Sequence, residues 1–148
     1  MAGPFELALR QFAKDAGERA DVAVREVVLE VANRLIYRSP VDTGRFRGNW
    51  FYSLDQLERG LTTGPEPEVA AAIYQGADVA VRYAAVLQNT SDLPVKAAGS
   101  VHYIQNNLPY AWPLERGHSS QAPHGMVGLT VQDFKGITDD AVKKARSK

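Results

Sequence analysis

From Phe5 to Leu35 the apolar residues recur at steps of three or four: Phe5, Leu9, Phe12, Ala16, Ala20, Val24, Val27, Val31 and Leu35. A helix places such positions on one face, so this periodicity commits the opening of the chain to one long amphipathic helix. Pro4 suits a first helical turn, and Glu6/Arg10, Asp21/Arg25 and Glu30/Arg34 are i,i+4 pairs with the acid first. Ser39-Pro40 ends the run, because the residue before a proline is pushed out of the α region. Unbroken, the helix would be roughly 50 Å long at ~1.5 Å per residue, which is long for a compact domain. Gly17 is the natural breakpoint, and the piece up to Ala16 then becomes an arm that packs on a neighbour.

The whole chain is sized for one domain over residues 1–148, with 45% hydrophobic and 23% charged residues, an ordinary globular composition. Lys and Arg number 17 against 17 Asp and Glu, which removes the usual basic signature of a DNA- or membrane-binding protein. With no cysteine, disulfides, Cys-based metal centres and cysteine nucleophiles are excluded. No stretch approaches the ~18–20 apolar residues of a membrane helix, and Glu6, Arg10 and Lys14 interrupt any signal-like hydrophobic run. These features predict a soluble intracellular domain or particle subunit. Residues 1–38 hold six charges of each sign, while 133–148 are basic by two. Lys143, Lys144, Arg146 and Lys148 suit the last turn of a helix better than a nucleic-acid tail.

Pro40-Val41-Asp42-Thr43-Gly44 is turn chemistry, and the alternation of Phe46, Gly48, Trp50 and Tyr52 predicts a strand after it. Residues 60–67 read as loop. The Ala/Val-rich segment 68–89 reads as a middle helix, or as a strand ending near Tyr74 followed by a helix. Pro94 to Gly99 is a turn, Val101 to Ile104 a strand, and Leu108 to Arg116 a short helix starting at Pro109 and closed by Gly117. Residues 118–125 are loop, and a last helix starts near Thr130 or Thr138.

Three constellations could carry chemistry. Asp42-Thr43-Gly44 is the tripeptide of aspartic proteases, but Ser39-Pro40 before it and Arg45-Phe46-Arg47 after it are the wrong flanks for that turn. His118 and His124 share a loop with Glu115 nearby, a spacing that falls short of a metal-ligand pattern. There is no Gly-x-Ser-x-Gly elbow and no Gly-rich phosphate loop. The aromatic residues Trp50, Phe51, Tyr52, Tyr103, Tyr110 and Trp112 fit core packing and a subunit interface better than stacking on bases.

Two segments are more specific: Ser39-Pro-Val-Asp-Thr-Gly-Arg-Phe-Arg-Gly-Asn-Trp50, and the run from Asn106 to Val127, NNLPYAWPLERGHSSQAPHGMV. Together, and in this order after a long helix, they resemble the neck and tail-completion (minor tail, lambda protein Z-like) proteins of long-tailed bacteriophages over roughly residues 5–145. Pro113 within the Tyr-Ala-x-x-Leu-Glu stretch and Arg116 after Glu115 are departures from that pattern. The resemblance implies a structural virion protein of the phage neck or tail, made in the bacterial host cytoplasm. It would form a ring with itself and with other neck or tail proteins, and carry no catalytic residue, metal or cofactor. At most weak DNA contact and no membrane contact are expected.

The expected fold is α+β: the long N-terminal helix on a small, mostly antiparallel sheet, with middle and C-terminal helices. Candidate subunit-contact residues are Arg45, Arg47, Trp50, Tyr110, Glu115, His118 and Gln121. Pro40–Gly44 would be a rigid corner, with Arg45 and Arg47 facing solvent or a neighbour and Glu115 the carboxylate partner of such an arginine. The rival reading is a small nucleic-acid-binding regulator using the basic C-terminus.

Overall fold

The computed structural model describes residues 3–41, 45–57 and 96–148. Helix α1 (Pro4–Arg38) is continuous through Gly17, with Pro4 in its first turn. Ion pairs Arg10–Glu6, Lys14–Glu18 and Arg34–Glu30 lie along it at i,i+4 spacing. Gly17 therefore does not divide it, although a Cβ there would meet nothing within 4 Å. A solvent-facing glycine lowers helix propensity by only about 1 kcal/mol, too little to break a helix held at its far end by tertiary packing. Ser39 terminates the helix in extended geometry ahead of Pro40, as the dipeptide predicts.

A 3₁₀ turn (Arg47–Asn49) leads into β1 (Trp50–Leu54), which pairs antiparallel with β2 (His102–Asn106), Trp50 opposite Asn106 and Leu54 opposite His102. The first strand thus starts four residues later than the alternation from Phe46 suggests. The Asn49 side chain donates to the Arg45 carbonyl (2.7 Å) and Asn106 donates to the Phe46 carbonyl (2.9 Å), which satisfies that backbone as a turn instead of a ladder. Residues Trp50 to Ser53 are all buried, so the strand lacks the in-out alternation of a one-sided sheet. Asp55, at φ +60°, extends the pairing: its N–H donates to the Val101 carbonyl and its carboxylate accepts the Val101 N–H, each at 2.8 Å.

The second half is helical. Helix α2 (Ala111–Glu115) is shorter than the sequence suggests, with Pro113 in its first turn, where a missing N–H costs no helical bond. The expected single last helix is two, α3 (Val127–Gln132) and α4 (Phe134–Ser147), meeting at Asp133. Ile137, Ala141 and Ala145 form the buried stripe of α4, which packs along α1. The main core joins Ala32, Leu35 and Ile36 of α1 to Phe46, Trp50, Leu108, Ala122 and Met126, while Val28 packs on Tyr52 of the sheet. The architecture is mixed α+β, a long N-terminal helix against a two-stranded antiparallel sheet with further helices. The Asp42-Thr43-Gly44 turn, the 60–67 loop, the 68–89 helix and Pro94 lie outside the described residues. No helix among the described residues is long and apolar enough to cross a membrane.

Candidate functional site

The two sequence segments meet beside the C-terminus of α1. A helix end leaves carbonyls without intrahelical partners, and here Arg47 fills the gap: its guanidinium donates to the carbonyls of Ser39 (Nε, 2.9 Å) and Tyr37 (3.1 Å). Ser39 Oγ donates to the Leu35 carbonyl (2.6 Å) and accepts from Trp50 Nε1 (2.8 Å). Trp50 is only 5% exposed and its indole crosses the Phe46 ring edge-on. On the other side Gln121 grips one residue twice, accepting the Val41 N–H and donating to the Val41 carbonyl, both at 2.9 Å.

Glu115 has a different role from the one expected. Its carboxylate accepts three consecutive backbone amides, Met126 (2.8 Å) and Val127 (2.9 Å) on Oε2 and Gly128 (2.9 Å) on Oε1. These are the unsatisfied donors that open α3, which has no side-chain cap of its own. A carboxylate at this positive helix end is favoured by both hydrogen bonding and the helix dipole. Gly125 makes the approach possible: its φ is +79°, and a Cβ there would overlap the Glu115 carboxylate. Gly117, at φ +88°, closes the turn after α2, where a Cβ would run into the Pro123 carbonyl.

The candidate contact residues therefore divide. Arg47, Trp50, Glu115 and Gln121 spend their polar groups inside the chain, which corrects the picture of Arg47 as an outward-facing side chain and of Glu115 as an arginine's partner. Arg45 and His118 are exposed. Tyr110 is 39% exposed and rests its ring on Phe46 at 5.9 Å. Trp112, absent from the expected set, is 66% exposed and carries the Arg116 guanidinium 5.1 Å from its ring centre. Beside Trp112 a groove of about 600 Å³ runs past Asn107, Pro109 and Val127. Such a surface offers aromatic contact area on a rigid base.

Three polar clusters escape sequence reasoning. Asp133, between α3 and α4, binds Arg38 (2.5 Å) and Arg34 (2.7 Å) through one oxygen, tying the C-terminal helices to α1. The hydrogen bond from Arg38, reinforced by that from Arg34, holds the Asp133 carboxyl below the usual carboxylate range. The signal was the Arg34/Arg38 spacing: two like charges one turn apart call for a shared anion. In the sheet, His102 Nε2 donates to the Ala97 carbonyl (2.8 Å), which can only accept, so in the neutral ring Nδ1 accepts from the Tyr52 hydroxyl (2.9 Å). Burial pushes the Tyr52 phenol up from its ordinary value. At the C-terminus, Lys144 and Lys148 both reach Glu26 of α1, at 3.3 and 3.6 Å. The basic excess at this end is thus partly neutralised within the chain. Among the described residues no group of three His, Asp or Glu side chains could hold a metal ion, and both Glu115 oxygens are turned to backbone amides.

No family model, curated protein or solved structure matches this chain.

Proposed function

We propose that the chain is a structural virion protein of a tailed bacteriophage. It joins or completes the tail at the head–tail junction as a ring built with itself and with neighbouring neck or tail proteins. The reading rests on the two segments that resemble such proteins. One observation supports it most: Gln121 of the second segment clamps both backbone atoms of Val41 in the first, so the two segments are one assembled unit. Residues that are distinctive because they hold a framework together fit a structural part better than a catalytic one. The exposed half of α1 beyond that framework fits a role in contacts between protein molecules. The reading assigns no catalytic residue and no cofactor. Glu26, shared by Lys144 and Lys148, offsets one of the positive charges on which the rival nucleic-acid reading rests.

Antibody against the chain, used with gold label on purified particles of the phage that encodes it, should mark the neck or tail end. Particles made without the chain should accumulate as separate heads and tails. Absence of label from particles, with joined infectious virions in its absence, would overturn the reading.

A further inference from the structure

The first half of α1 projects from the fold with a bare apolar stripe. Phe5, Leu9 and Phe12 are 80%, 54% and 70% exposed. At 3.6 residues per turn the stripe continues through Ala16, Ala20 and Ala23 to Val27 on the same face. There it enters an apolar groove of about 600 Å³ lined by Val24, Val27, Val31, Ile104, Phe134 and Val142. Because α1 is unbroken, the stripe cannot fold back into its own groove: Phe12 and Val27 stand about 22 Å apart along the axis.

We propose that a second copy of this chain covers this face, the two α1 helices pairing antiparallel about Ala16, with each Phe5 seated against Val27 at the mouth of the partner's groove. Size complementarity favours this register. Phe12 falls opposite Ala20 and Leu9 opposite Ala23, with Ala16 on Ala16 at the two-fold axis, so large side chains meet small ones and the helices approach to about 8–10 Å. Charge complementarity favours it too. Asp15 and Arg19 flank the stripe on one side, and antiparallel pairing sets each Arg19 beside the partner's Asp15, twice per interface. Among the described residues Asp15 accepts the Gln11 amide and no other side-chain donor, and Arg19 makes no ion pair. Parallel, in-register pairing would stack like on like and leave both grooves empty.

The area is of the right order. Four phenylalanines at about 150–250 Å² each, with two leucines along about 33 Å of contact, bring the pair near the ~1,200–2,000 Å² of a stable interface. The Lys14–Glu18 pair lies on the opposite side of the helix and stays in water. This inference stands on the face of α1 and does not depend on the virion reading.

Light scattering on the purified full chain at about 100 µM should give twice the 16.2 kDa chain mass. Phe5→Ser/Phe12→Ser should return it to one chain with unchanged helical circular dichroism, since the arm touches nothing else in the described fold. Asp15→Arg should weaken the pair by about tenfold, and Asp15→Arg/Arg19→Asp should restore it. The chain has no cysteine, so Ala16→Cys should cross-link to a dimer under mild oxidation and Lys14→Cys, on the far side, should not. A single-chain mass for the unaltered protein, an oligomer indifferent to the phenylalanine changes, or one in which Ala16→Cys fails to cross-link would overturn the proposal.

Discussion

The carboxylate of Glu115 occupies the space that a side chain on Gly125 would need, and from there it caps α3 by accepting the amides of residues 126, 127 and 128. The two residues therefore act as one device. Gly125→Ala should cost at least about 2 kcal/mol, combining left-handed strain with displacement of the carboxylate. Gly128→Ala is the control, because its Cβ would meet Glu115 Oε1 at an ordinary 3.5 Å. It should be neutral or stabilise by up to about 1 kcal/mol. Urea unfolding of the two variants separates these outcomes.

Removing the carboxylate itself should be as costly. Glu115→Ala strands three amides and should lower stability by about 2–3 kcal/mol, whereas Glu115→Gln keeps part of the cap and loses less. Arg45→Ala should add to Glu115→Ala within about 0.5 kcal/mol, as independent sites do. A larger coupling in that double-mutant cycle would restore the arginine pairing that the geometry replaces with backbone amides.

The core carries a polar chain from Trp50 through Ser39 to the Leu35 carbonyl, with Ser39 only 1% exposed. Trp50→Phe removes the indole donor and leaves a gap beside a buried hydroxyl. A loss of about 2–3 kcal/mol is expected. Trp50→Phe combined with Ser39→Ala should lose less than the sum of the two single changes, because the hydroxyl no longer lacks its donor.

Acid should loosen the junction of α1 with the C-terminal helices. Asp133 is held below the usual carboxylate range chiefly by its hydrogen bond to Arg38, so its contribution is complete above the unfolded value near 3.8. That contribution is lost as pH falls through the depressed folded value. Denaturation midpoints measured down to about pH 2 should therefore drop more steeply for the native chain than for Asp133→Asn. Equal slopes would show that the pair adds nothing.

What could be read from the sequence was local. Pro4 and Ser39-Pro40 mark α1 because capping and pre-proline geometry depend on neighbouring residues alone. The start of β1 was misplaced because Asn49 and Asn106, the second from a distant segment, turn residues 46–49 away from the strand. Glu115 was expected to pair with an arginine, and its carboxylate accepts backbone amides instead. Backbone amides eleven to thirteen residues onward carry no side-chain identity to read, and Gly125 was the trace of the arrangement. The break at Asp133 was missed for a different reason: the Arg34/Arg38 spacing asks for an anion, but the one that answers it lies about a hundred residues away in sequence.

If both proposals hold, the two distinctive segments build the framework and the exposed face of α1 carries assembly. Thermal midpoint and light-scattering mass, measured together on Gln121→Ala and on Phe5→Ser/Phe12→Ser, test that division most directly. Gln121→Ala should lower the midpoint and leave the mass of the folded protein unchanged. The phenylalanine pair should leave the midpoint of the separated chain near that of the native protein at high dilution, and halve the mass. The opposite pattern, with Gln121→Ala abolishing assembly and the phenylalanines unfolding the domain, would contradict it.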